Sequence, residues 1–496
     1  MTAQEAADVI IVGAGLSGLT AARDIQKAGF SCIVLEAEDR VGGMTLSVKS
    51  NGAVVDLGAA WLNDTTQPHI WGLAQQFGLT PEVQDSEGEL YREMQDGSII
   101  SGTEGNKKAW RYFLDCSICS LDTSRHLLLT PDELKAMADF YGQLGQIVET
   151  VDPEKPHEHP DAAKLDSITL AQFCQERSGN DLIAFLLNSA VRYLLGAEAD
   201  EISALWFFAY CKAGTGLQNM MSARKGGGQH LRLHEGTQTI AASLAASLAP
   251  NTVRLSSPVT AIAHSPTAGC TATTRSGNAY HSAHIILSVP SPLRRAIAFT
   301  PPLPPSKQAP TAMGFFAKAT LVYATPWWRA RGLSAIFESA LGPVTYSRAT
   351  SIPSSDHHSI TGFIVGAPGR RWAALPSAEA RRGAVLAQLG HAFGVAVGGG
   401  FVVPEPVAYV EEDWARREWF GGGPVPVAGP GVVTGAGKGK GRGTGAEPVG
   451  GVVHFVGSET SAVWRGYMEG AVRSGVRGAG EVVEALREAK GRSEKL

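Results

Sequence analysis

Hydrophobic positions near the N-terminus follow the order strand, helix, strand. Val9 to Val12 is a short apolar run, which is typical of a buried parallel strand. Thr20 to Ala28, with Gly29 just after it, predicts a helix, and Ser31 to Leu35 predicts a second strand that ends at Glu36. This order predicts a βαβ unit, and therefore an α/β fold whose first domain is Rossmann-like.

Three glycines between the first strand and the helix have the spacing G-x-G-x-x-G. Gly13 permits a tight turn, Gly15 lets the backbone approach a pyrophosphate, and Gly18 lets helix and strand pack closely. The helix N-terminus supplies free N–H groups for the phosphates. Glu36, at the end of the second strand, is placed to accept hydrogen bonds from a ribose diol. Together these features predict a dinucleotide-binding site.

Further along the chain, helical and strand-like patterns alternate. From Ile70 to about Arg224, apolar residues recur three and four apart, which predicts mostly helix. The remaining predicted elements are strands beginning at Val54 and covering Val253 to Ile262, His284 to Val289, Met313 to Tyr323 and Val452 to Val456, and helices at Leu182 to Leu195, Ile202 to Tyr210, Thr239 to Leu248, Trp464 to Arg473 and Glu481 to Lys490. Asp152 to Asp166 predicts an exposed loop, and the Gly- and Pro-rich run from Gly421 to Gly451 predicts a long one.

The segments that predict nucleotide binding are separated along the chain. At 496 residues, the chain is long enough for two domains. We predict a discontinuous cofactor-binding domain made of residues 1–75, 225–300 and 405–496. An inserted α+β substrate-binding domain would contain residues 76–224 and 301–404.

Composition narrows the range of partners. With 43 basic and 47 acidic residues, the net charge is −4, which argues against a nucleic-acid partner. No apolar run reaches the length of about 18 residues that a transmembrane helix needs. Cys116 and Cys119 form one C-x-x-C, which we interpret as chance or packing, and no metal site is expected.

The same features indicate a location in the cell. The first residues, MTAQEAAD, lack the basic and apolar regions of a secretory signal. Six cysteines in so long a chain do not form a disulfide framework, so a reducing compartment, the cytoplasm, is expected. The final Glu-Lys-Leu differs at its first position from the peroxisomal Ser-Lys-Leu address, so the peroxisome is the weaker alternative.

Two stretches carry a family resemblance. Glu36 to Gly43, EAEDRVGG, resembles the E-A-x-x-R-x-G-G run of the two-dinucleotide-binding-domain flavoproteins, which implies FAD. His454 to Arg473, HFVGSETSAVWRGYMEGAVR, resembles the flavin-binding close of the flavin monoamine oxidases. This second resemblance extends over most of the chain, and the soluble fungal members look most similar. It implies a soluble fungal-type FAD-dependent amine oxidase.

The resemblance also implies roles for single residues. Lys318 matches the lysine that holds a water near flavin N5, and Tyr467 matches one wall of an aromatic cage that guides the amine, so both are candidate catalytic residues. Gln229 matches a pocket-lining glutamine. Contacts to the cofactor are implied for Gly13, Gly15, Leu16, Ser17, Gly18, Glu36, Ala37, Arg40, Gly42, Gly43, Met44, Gly58, Ala59, Ala60, Trp61, Val259, Trp414, Gly457, Ser458, Gly466, Tyr467, Met468 and Ala471.

The sequence departs from the family pattern on the phosphate side. Family members usually carry arginine where this chain has Met44 and Glu38. The loss of two cations should weaken FAD binding unless other groups compensate.

A second departure concerns the substrate side of the flavin. The position of the covalent flavin cysteine in animal enzymes falls on Gly423, so non-covalent FAD is expected. The second cage aromatic falls on Pro424, and Trp419 or Phe420 are the candidates to supply the missing wall.

We therefore expect the chain to oxidise a small-molecule amine. Hydride transfer from the α-carbon to flavin N5 would give an imine, and O₂ would be reduced to H₂O₂. The alternatives are a flavin-dependent oxidase or desaturase of a secondary-metabolite scaffold on the same fold, and a catalytically weak flavoprotein retained for binding. Intact Lys318 and Tyr467 argue against the last. The sequence leaves the substrate open, and also the oligomeric state, with a homo-oligomer among the options.

Overall fold

The computed structural model of the chain describes residues 4–94, 96–101, 131–308, 310–435 and 445–493. Cys116, Cys119 and the final Glu494-Lys495-Leu496 lie outside these residues, so the hypotheses about them stay open. Within the described ranges, no helix is long and apolar enough to cross a membrane.

Helices form wherever the apolar spacing of three and four residues is sustained. The α-helices of the described residues are Leu16–Lys27, Pro68–Gln76, Pro131–Thr150, Ala162–Ser167, Leu170–Ser178, Asp181–Leu195, Ala204–Ala213, Leu217–Met221, Gln238–Ala246, Gly366–Ala373, Ala378–Val397 and Met468–Ser493.

A five-stranded parallel sheet forms the centre of the first domain. Its strands are, in spatial order, Val253–Arg254, Cys32–Leu35, Val9–Val12, His284–Leu287 and Val453–Phe455. Helices Leu16–Lys27 and Met468–Ser493 pack against each other beside this sheet. The α/β fold class and the Rossmann-like order are therefore confirmed.

The first βα turn has the backbone geometry that its glycines predict. Gly13 has a φ of +102°, in the left-handed region that favours glycine. A Cβ on Gly18 would lie 2.0 Å from the Gly13 carbonyl oxygen, so helix and strand approach more closely than any side chain would allow. The helix begins at Leu16 and not at Thr20, which brings its free N–H groups directly after Gly15.

A second five-stranded sheet completes this domain. Its order is Gln4–Ala6, Ala279–Ser282, Gly269–Thr274, Val259–Ser265 and Ala298–Thr300. The single strand predicted from Val253 to Ile262 is therefore two strands in different sheets. Ser256 between them has a φ of +50°, so the chain turns there and leaves the parallel sheet.

A seven-stranded mixed sheet forms the second domain. Its order is Ala408–Asp413, Phe316–Tyr323, His358–Val365, Tyr346–Ala349, Leu333–Ser339, Glu89–Glu93 and Ile99–Ser101. One face packs on helices Gly366–Ala373 and Ala378–Val397. The other face carries Lys318, because side chains alternate along a strand. Strand Ala408–Asp413 belongs to this sheet, which moves the predicted boundary at 405 beyond Asp413; the other boundaries stay a prediction.

Three short antiparallel pairs join these layers. They are Ser47–Ser50 with Ala53–Asp56, Pro81–Val83 with Leu231–Leu233, and Thr311–Met313 with Pro426–Ala428. One strand of the last pair, Pro426–Ala428, lies inside the run predicted as a long loop, and it is buried.

Two other predictions differ from the structure. The segment predicted as an exposed loop contains helix Ala162–Ser167, and Asp166 in it is fully buried. Its carboxylate accepts from Ser203 Oγ at 2.6 Å and from Thr434 N and Oγ1 at 2.8 Å, so the acid is satisfied without water. The two C-terminal helices are one helix, Met468–Ser493.

Candidate active site

A cavity of about 410 Å³ runs from the first βα turn to the Lys318 face of the mixed sheet. Every site residue predicted from the sequence lines it, except Gly18 and Arg40. Gly18 lies behind the lining because it packs against Gly13. Arg40 donates from Nη2 to Gly43 O at 2.8 Å and from Nη1 to Thr45 O at 2.9 Å, so it supports the cavity wall from behind.

Glu36 lies at the nucleotide end of the cavity. Its carboxylate accepts from Ala14 N at 2.5 Å and from Glu38 N at 2.9 Å. Burial raises the pKa of Glu36, although these two backbone bonds act in the opposite direction. The fixed carboxylate retains lone pairs that can accept from a ribose diol.

The residues present fit the pyrophosphate and ribose of a dinucleotide. Gly15 is the N-cap of helix Leu16–Lys27 and no side chain caps this terminus. The first N–H groups of the helix therefore remain available to phosphate oxygens. Gly15 also bridges to Gly42, so bare backbone faces the cavity from two loops. Arg40 Nε is buried without a hydrogen-bond partner among the described residues.

Glu38, where the resemblance expects an arginine, belongs to an ion-pair network. Glu38 pairs with Arg40 at 2.7 Å and with Arg417 at 2.7 Å. Arg417 also donates to both oxygens of Glu412, at 2.8 and 2.7 Å. These acidic partners raise the pKa of Arg417 and keep it charged. A cation from another loop thus stands close to the position where the sequence lost one.

Met44 directly follows the glycine pair Gly42-Gly43 and lies beside Gly423. A Cβ on Gly423 would lie 2.4 Å from Met44 Cε, so a cysteine there would collide with this methyl group unless Met44 moved. Met44 also packs on the cluster that contains Leu46 and Trp414. The side chain at 44 thus fills an apolar gap beside the position where the resemblance expects a covalent flavin link.

Lys318 is buried, with 3% of its surface exposed, in the middle of strand Phe316–Tyr323. Nζ donates to the Gly58 carbonyl and lies 5.1 Å from the ring centroid of Trp61 and 5.2 Å from that of Phe363. Burial lowers the pKa of Lys318 to about 8, against a smaller opposite effect of Asp56. The Lys318 side chain can therefore change between its ammonium and neutral amine forms near neutral pH.

The turn at Gly58, whose carbonyl accepts from Lys318, follows the strand pair Ser47–Ser50 and Ala53–Asp56 and is held in place by it. Asp56 ends the strand Ala53–Asp56 and accepts from Ser47 Oγ at 2.5 Å and from Thr237 N at 3.1 Å. A Cβ on Gly58 would lie 2.1 Å from the Met44 carbonyl oxygen, so only glycine fits. The Gly58 carbonyl is therefore held in the orientation in which it accepts from Lys318.

Tyr467 forms the wall on the C-terminal side. Its ring meets Trp464 edge to face, with centroids 4.8 Å apart, and its hydroxyl bonds to that of Tyr210. Burial raises the pKa of both tyrosines, so both stay protonated. Trp464 is fully buried with a φ of +52° and donates from Nε1 to Thr66 O at 2.9 Å. This strained residue fixes where Tyr467 points.

The two candidates for the missing wall pack elsewhere. Phe420 packs edge to face on Trp414, with centroids 5.0 Å apart. Trp419 lies under the guanidinium of Arg275, 4.8 Å away, next to the strand that begins at Val259. Trp419, Phe420 and Pro424 all line the cavity.

Aromatic residues that sequence reasoning missed supply other walls. Phe363 stacks on Trp61 with centroids 5.7 Å apart and meets Tyr193 edge to face at 5.2 Å. Phe316 and Tyr210 also line the cavity. The available signal was the β-branched and apolar run around Phe363, HSITGFIV, for which we predicted no strand.

Gln229 is oriented by two donors. Its Oε1 accepts from Tyr193 Oη at 2.8 Å and from Arg348 Nη1 at 3.4 Å. Because arginine can only donate, the amide oxygen must face Arg348, and the amide N–H group keeps one long contact, 3.4 Å to Met220 O. An N–H donor is thus available to a molecule in the cavity.

The fold and this cavity define a protein of the Rossmann-type dinucleotide-binding class, with the mixed sheet lining the far end of the cavity. Comparison with known families makes this specific. The family model described as "Flavin containing amine oxidoreductase" matches residues 16–483. The chain therefore belongs to the flavin-containing amine oxidoreductase family. It is an oxidoreductase that acts on amines, and its dinucleotide is FAD.

Similar proteins agree over nearly the full length. The chain is 29% identical over 487 residues to "Probable flavin-containing monoamine oxidase A" of Dictyostelium discoideum, covering 97% of this chain and 99% of that one. It is 29% identical over 498 residues to the L-amino acid dehydrogenase of a Synechocystis strain, covering 98% and 97%. The solved structure of cyclohexylamine oxidase from Brevibacterium oxydans superimposes with a TM-score of 0.83 at 28% identity, covering 97% and 99%.

Proposed function

We propose that this chain oxidises a small amine at the carbon that carries the nitrogen, with FAD held non-covalently and O₂ as electron acceptor. When bound, FAD supplies the redox chemistry: it accepts a hydride at N5 from the α-carbon, which leaves an imine, and O₂ reoxidises it to give H₂O₂. The observation that supports this proposal is the convergence of Lys318, Tyr467 and the Gly58 turn on a cavity continuous with the dinucleotide loops.

The walls of the cavity select the protonation state in which the amine binds. Trp61, Phe363 and Tyr467 present aromatic surface, which favours an alkyl or aryl group over a solvated ion. The Lys318 ammonium repels a second cation in the same low-dielectric space. The amine is therefore bound in its neutral form, with its nitrogen lone pair free.

Lys318 has a separate role in the second half of the reaction. A cation bonded to the Gly58 carbonyl and enclosed by two aromatic rings stabilises negative charge that develops on a neighbouring group. Its exchangeable protons can also move through a water held between Nζ and the substrate side. Gly58 and Asp56 only hold this arrangement in place.

The test is an amine panel read by H₂O₂ production, with bound FAD measured in the same sample. The panel contains primary, secondary and cyclic monoamines, diamines, amino acids and alkaloid-like scaffolds. We expect turnover of neutral-side-chain monoamines with one H₂O₂ for each amine consumed. An FAD-loaded protein that oxidises none of the simple amines but converts a scaffold would favour the desaturase alternative.

A second candidate differs in the electron acceptor. The Synechocystis relative is named a dehydrogenase, and its similarity covers the whole chain. Here the same amine oxidation would be followed by electron transfer to an acceptor other than O₂. Stopped-flow mixing of the substrate-reduced enzyme with air-saturated buffer or with an artificial dye separates the two, since an oxidase reacts rapidly with O₂ and a dehydrogenase only with the dye.

A further inference from the structure

The sheet face that carries Lys318 continues into a row of buried hydroxyl groups. Lys318 pairs in register with Phe363, and two residues further along Thr320 pairs with Thr361. Paired residues of an antiparallel sheet project to the same face, and so do residues two apart on one strand. The hydroxyl groups are therefore on the same face as the lysine, one step beyond it.

These hydroxyls form a continuous hydrogen-bonded chain. Thr320 Oγ1 lies 2.9 Å from Thr361 Oγ1, which lies 2.8 Å from Thr350 Oγ1. Thr350 Oγ1 in turn lies 2.9 Å from Ser359 Oγ. Each hydroxyl can both donate and accept, so the chain can reverse its direction without any heavy atom moving.

A small chamber joins this chain to Lys318. It has a volume of about 20 Å³, enough for one water molecule, and is distinct from the large cavity. Its polar lining comes from Lys318, Asp56, Arg232, Thr350, Thr361, Ser359 and His357. Trp61 lies between the chamber and the large cavity, since it lines both.

His357 lies at the far side of the chamber. It is 3% exposed, and neither of its ring nitrogens has a hydrogen-bond partner among the described residues. Burial, followed by the charge of Arg232 and by His358, lowers the pKa of His357 to about 4. The ring is neutral and offers one donor and one acceptor, whose burial without partners costs free energy.

The outer side of His357 faces solvent through a single turn. Residues 353–356 of this turn are exposed, and Ile352 N donates to His357 O at 2.9 Å to close it. The lining of the chamber therefore includes both Lys318 and a residue that directly follows an exposed turn.

We propose that the chamber is a water-binding site, and that its water, with the hydroxyls of Thr361, Thr350 and Ser359 and the ring of His357, carries protons between Lys318 and solvent. The use of this route rests on the proposed oxidation, but the water site does not. The charged and titratable groups that line the chamber are Lys318, Asp56, Arg232 and His357, and His358 acts electrostatically on His357.

Each transfer along this route moves one proton and no electrons. The Nζ–H bond of Lys318 breaks as an O–H bond of the chamber water forms, and the water releases another proton to a hydroxyl or to His357. The lysine is left neutral, and the reverse order restores its charge. A route of this kind lets protons reach the reacting centre while the amine occupies the large cavity.

The first test is a high-resolution crystal structure of the FAD-loaded enzyme and of the variant His357→Leu. We expect an ordered water in the wild-type chamber with about three hydrogen bonds, and its loss in the variant. A chamber without density in the wild type would overturn the proposal. This readout does not depend on turnover, so it stays informative if no amine is oxidised.

The second test measures the solvent isotope effect on the O₂ half-reaction. Thr361→Val keeps the shape of the side chain and removes the hydroxyl, and we expect it to slow this half-reaction on the order of tenfold and to enlarge the isotope effect. Thr361→Ser should restore both. Thr345→Val, the same change elsewhere in the second domain, is the matched control.

Ser359→Ala interrupts the same chain and serves if Thr361→Val folds poorly. Folded Thr361→Val or Ser359→Ala with an unchanged isotope effect would contradict the proposed route. So would an equal slowing by Thr345→Val, which would show a general effect of losing a buried hydroxyl.

Discussion

The Arg417 guanidinium donates to the Glu38 carboxylate, with Nη1 and Oε1 2.7 Å apart, although 379 residues separate the two in sequence. Glu38 pairs on its other side with Arg40, and Arg417 forks onto Glu412. The loop after the ribose acid is therefore tied to the segment that carries Trp414. Glu38, at a position where the resemblance expects an arginine, thus forms a bridge between two loops.

We expect Arg417→Met to weaken FAD binding by on the order of tenfold or more, because a charge-assisted hydrogen bond contributes about 1.5–3 kcal/mol. Glu38 would lose one of its two cationic partners, and the loop that contains Glu38 would lose its link to the segment after Trp414. Fluorescence titration of the apoprotein with FAD measures the dissociation constant. Arg416→Met is the matched control, since Arg416 is 54% exposed; equal weakening by both variants would contradict this role.

FAD should leave the polypeptide on acid precipitation. Gly423 offers no nucleophile, and Met44 Cε fills the space beside it. Yellow colour in the supernatant and a colourless pellet are the expected result. Flavin that stays with the pellet after protease digestion would show a covalent link at some other residue.

The O₂ half-reaction should lose rate as pH rises through about 8. Burial lowers the pKa of Lys318 to about 8, so the cation that steadies developing negative charge is present below that pH and lost above it. Lys318→Met should slow reoxidation more than amine-driven reduction and should flatten the pH profile. Stopped-flow traces of both half-reactions provide the measurement, and unchanged O₂ reactivity in an FAD-loaded variant would return Lys318 to a structural role.

We expect Lys318 to lower the free energy of unfolding of the flavin-free protein. The folded state holds the pKa of Lys318 at about 8 instead of 10.5, so below pH 8 a buried charge opposes folding. This cost is up to on the order of 3 kcal/mol, and it declines as pH rises from about 8 to 10.5. Lys318→Met should therefore raise the apoprotein Tm at pH 7. The increase is reduced by the loss of the favourable interaction between Lys318 and Asp56, and it should be smaller at pH 10.

A pH-independent change in Tm, measured by calorimetry on flavin-free protein, would contradict that prediction. Lys307→Met is not a suitable control because Lys307 has an acidic partner, Glu447, at 3.0 Å. Lys164→Met, on an exposed side chain, tests whether removal of a lysine charge alone shifts the curve.

Monoamines should be better substrates than diamines of similar length. Arg348 is 2% exposed, and among the described residues its guanidinium donates to the neutral side chains of Gln229 and Ser86. Across about 8 Å at an effective dielectric of 20, its charge would oppose a second ammonium by about 2 kcal/mol. Arg348→Met should reduce the preference in kcat/KM on the order of tenfold, while Arg331→Met, an exposed arginine, should leave it unchanged.

An unaltered preference in Arg348→Met would mean that the aromatic walls and Lys318 alone exclude the second charge. A loss of activity toward both substrate types would point instead to Gln229, whose amide oxygen would then lack one of its two donors.

The nucleotide end could be predicted from sequence because its signal is local. Gly13, Gly15, Gly18 and Glu36 lie within one βαβ unit, and each residue type has a steric or hydrogen-bonding reason that needs no knowledge of distant contacts. The structure places three of the four on the cavity wall and Gly18 directly behind it.

The substrate end depends on pairing that a single sequence does not display. Phe363 meets Lys318 only because strands Phe316–Tyr323 and His358–Val365 are in that particular register. Asp166 has the composition of a solvated loop around it, yet its partner Thr434 is 268 residues away. The same limitation hid Arg417, which reaches Glu38 across most of the chain.

The parallel sheet has a consequence for synthesis of the protein. Its second and third strands in spatial order are complete by Leu35, but the edge strand Val453–Phe455 is synthesised more than 400 residues later. At 5–20 residues per second, roughly 20–90 s separate the two. For the last part of that interval, roughly 8–33 s between Leu287 and Val453 at the same rate, the edge of His284–Leu287 lacks its partner. A nascent chain therefore has to keep an apolar strand edge from aggregating before the site can capture flavin.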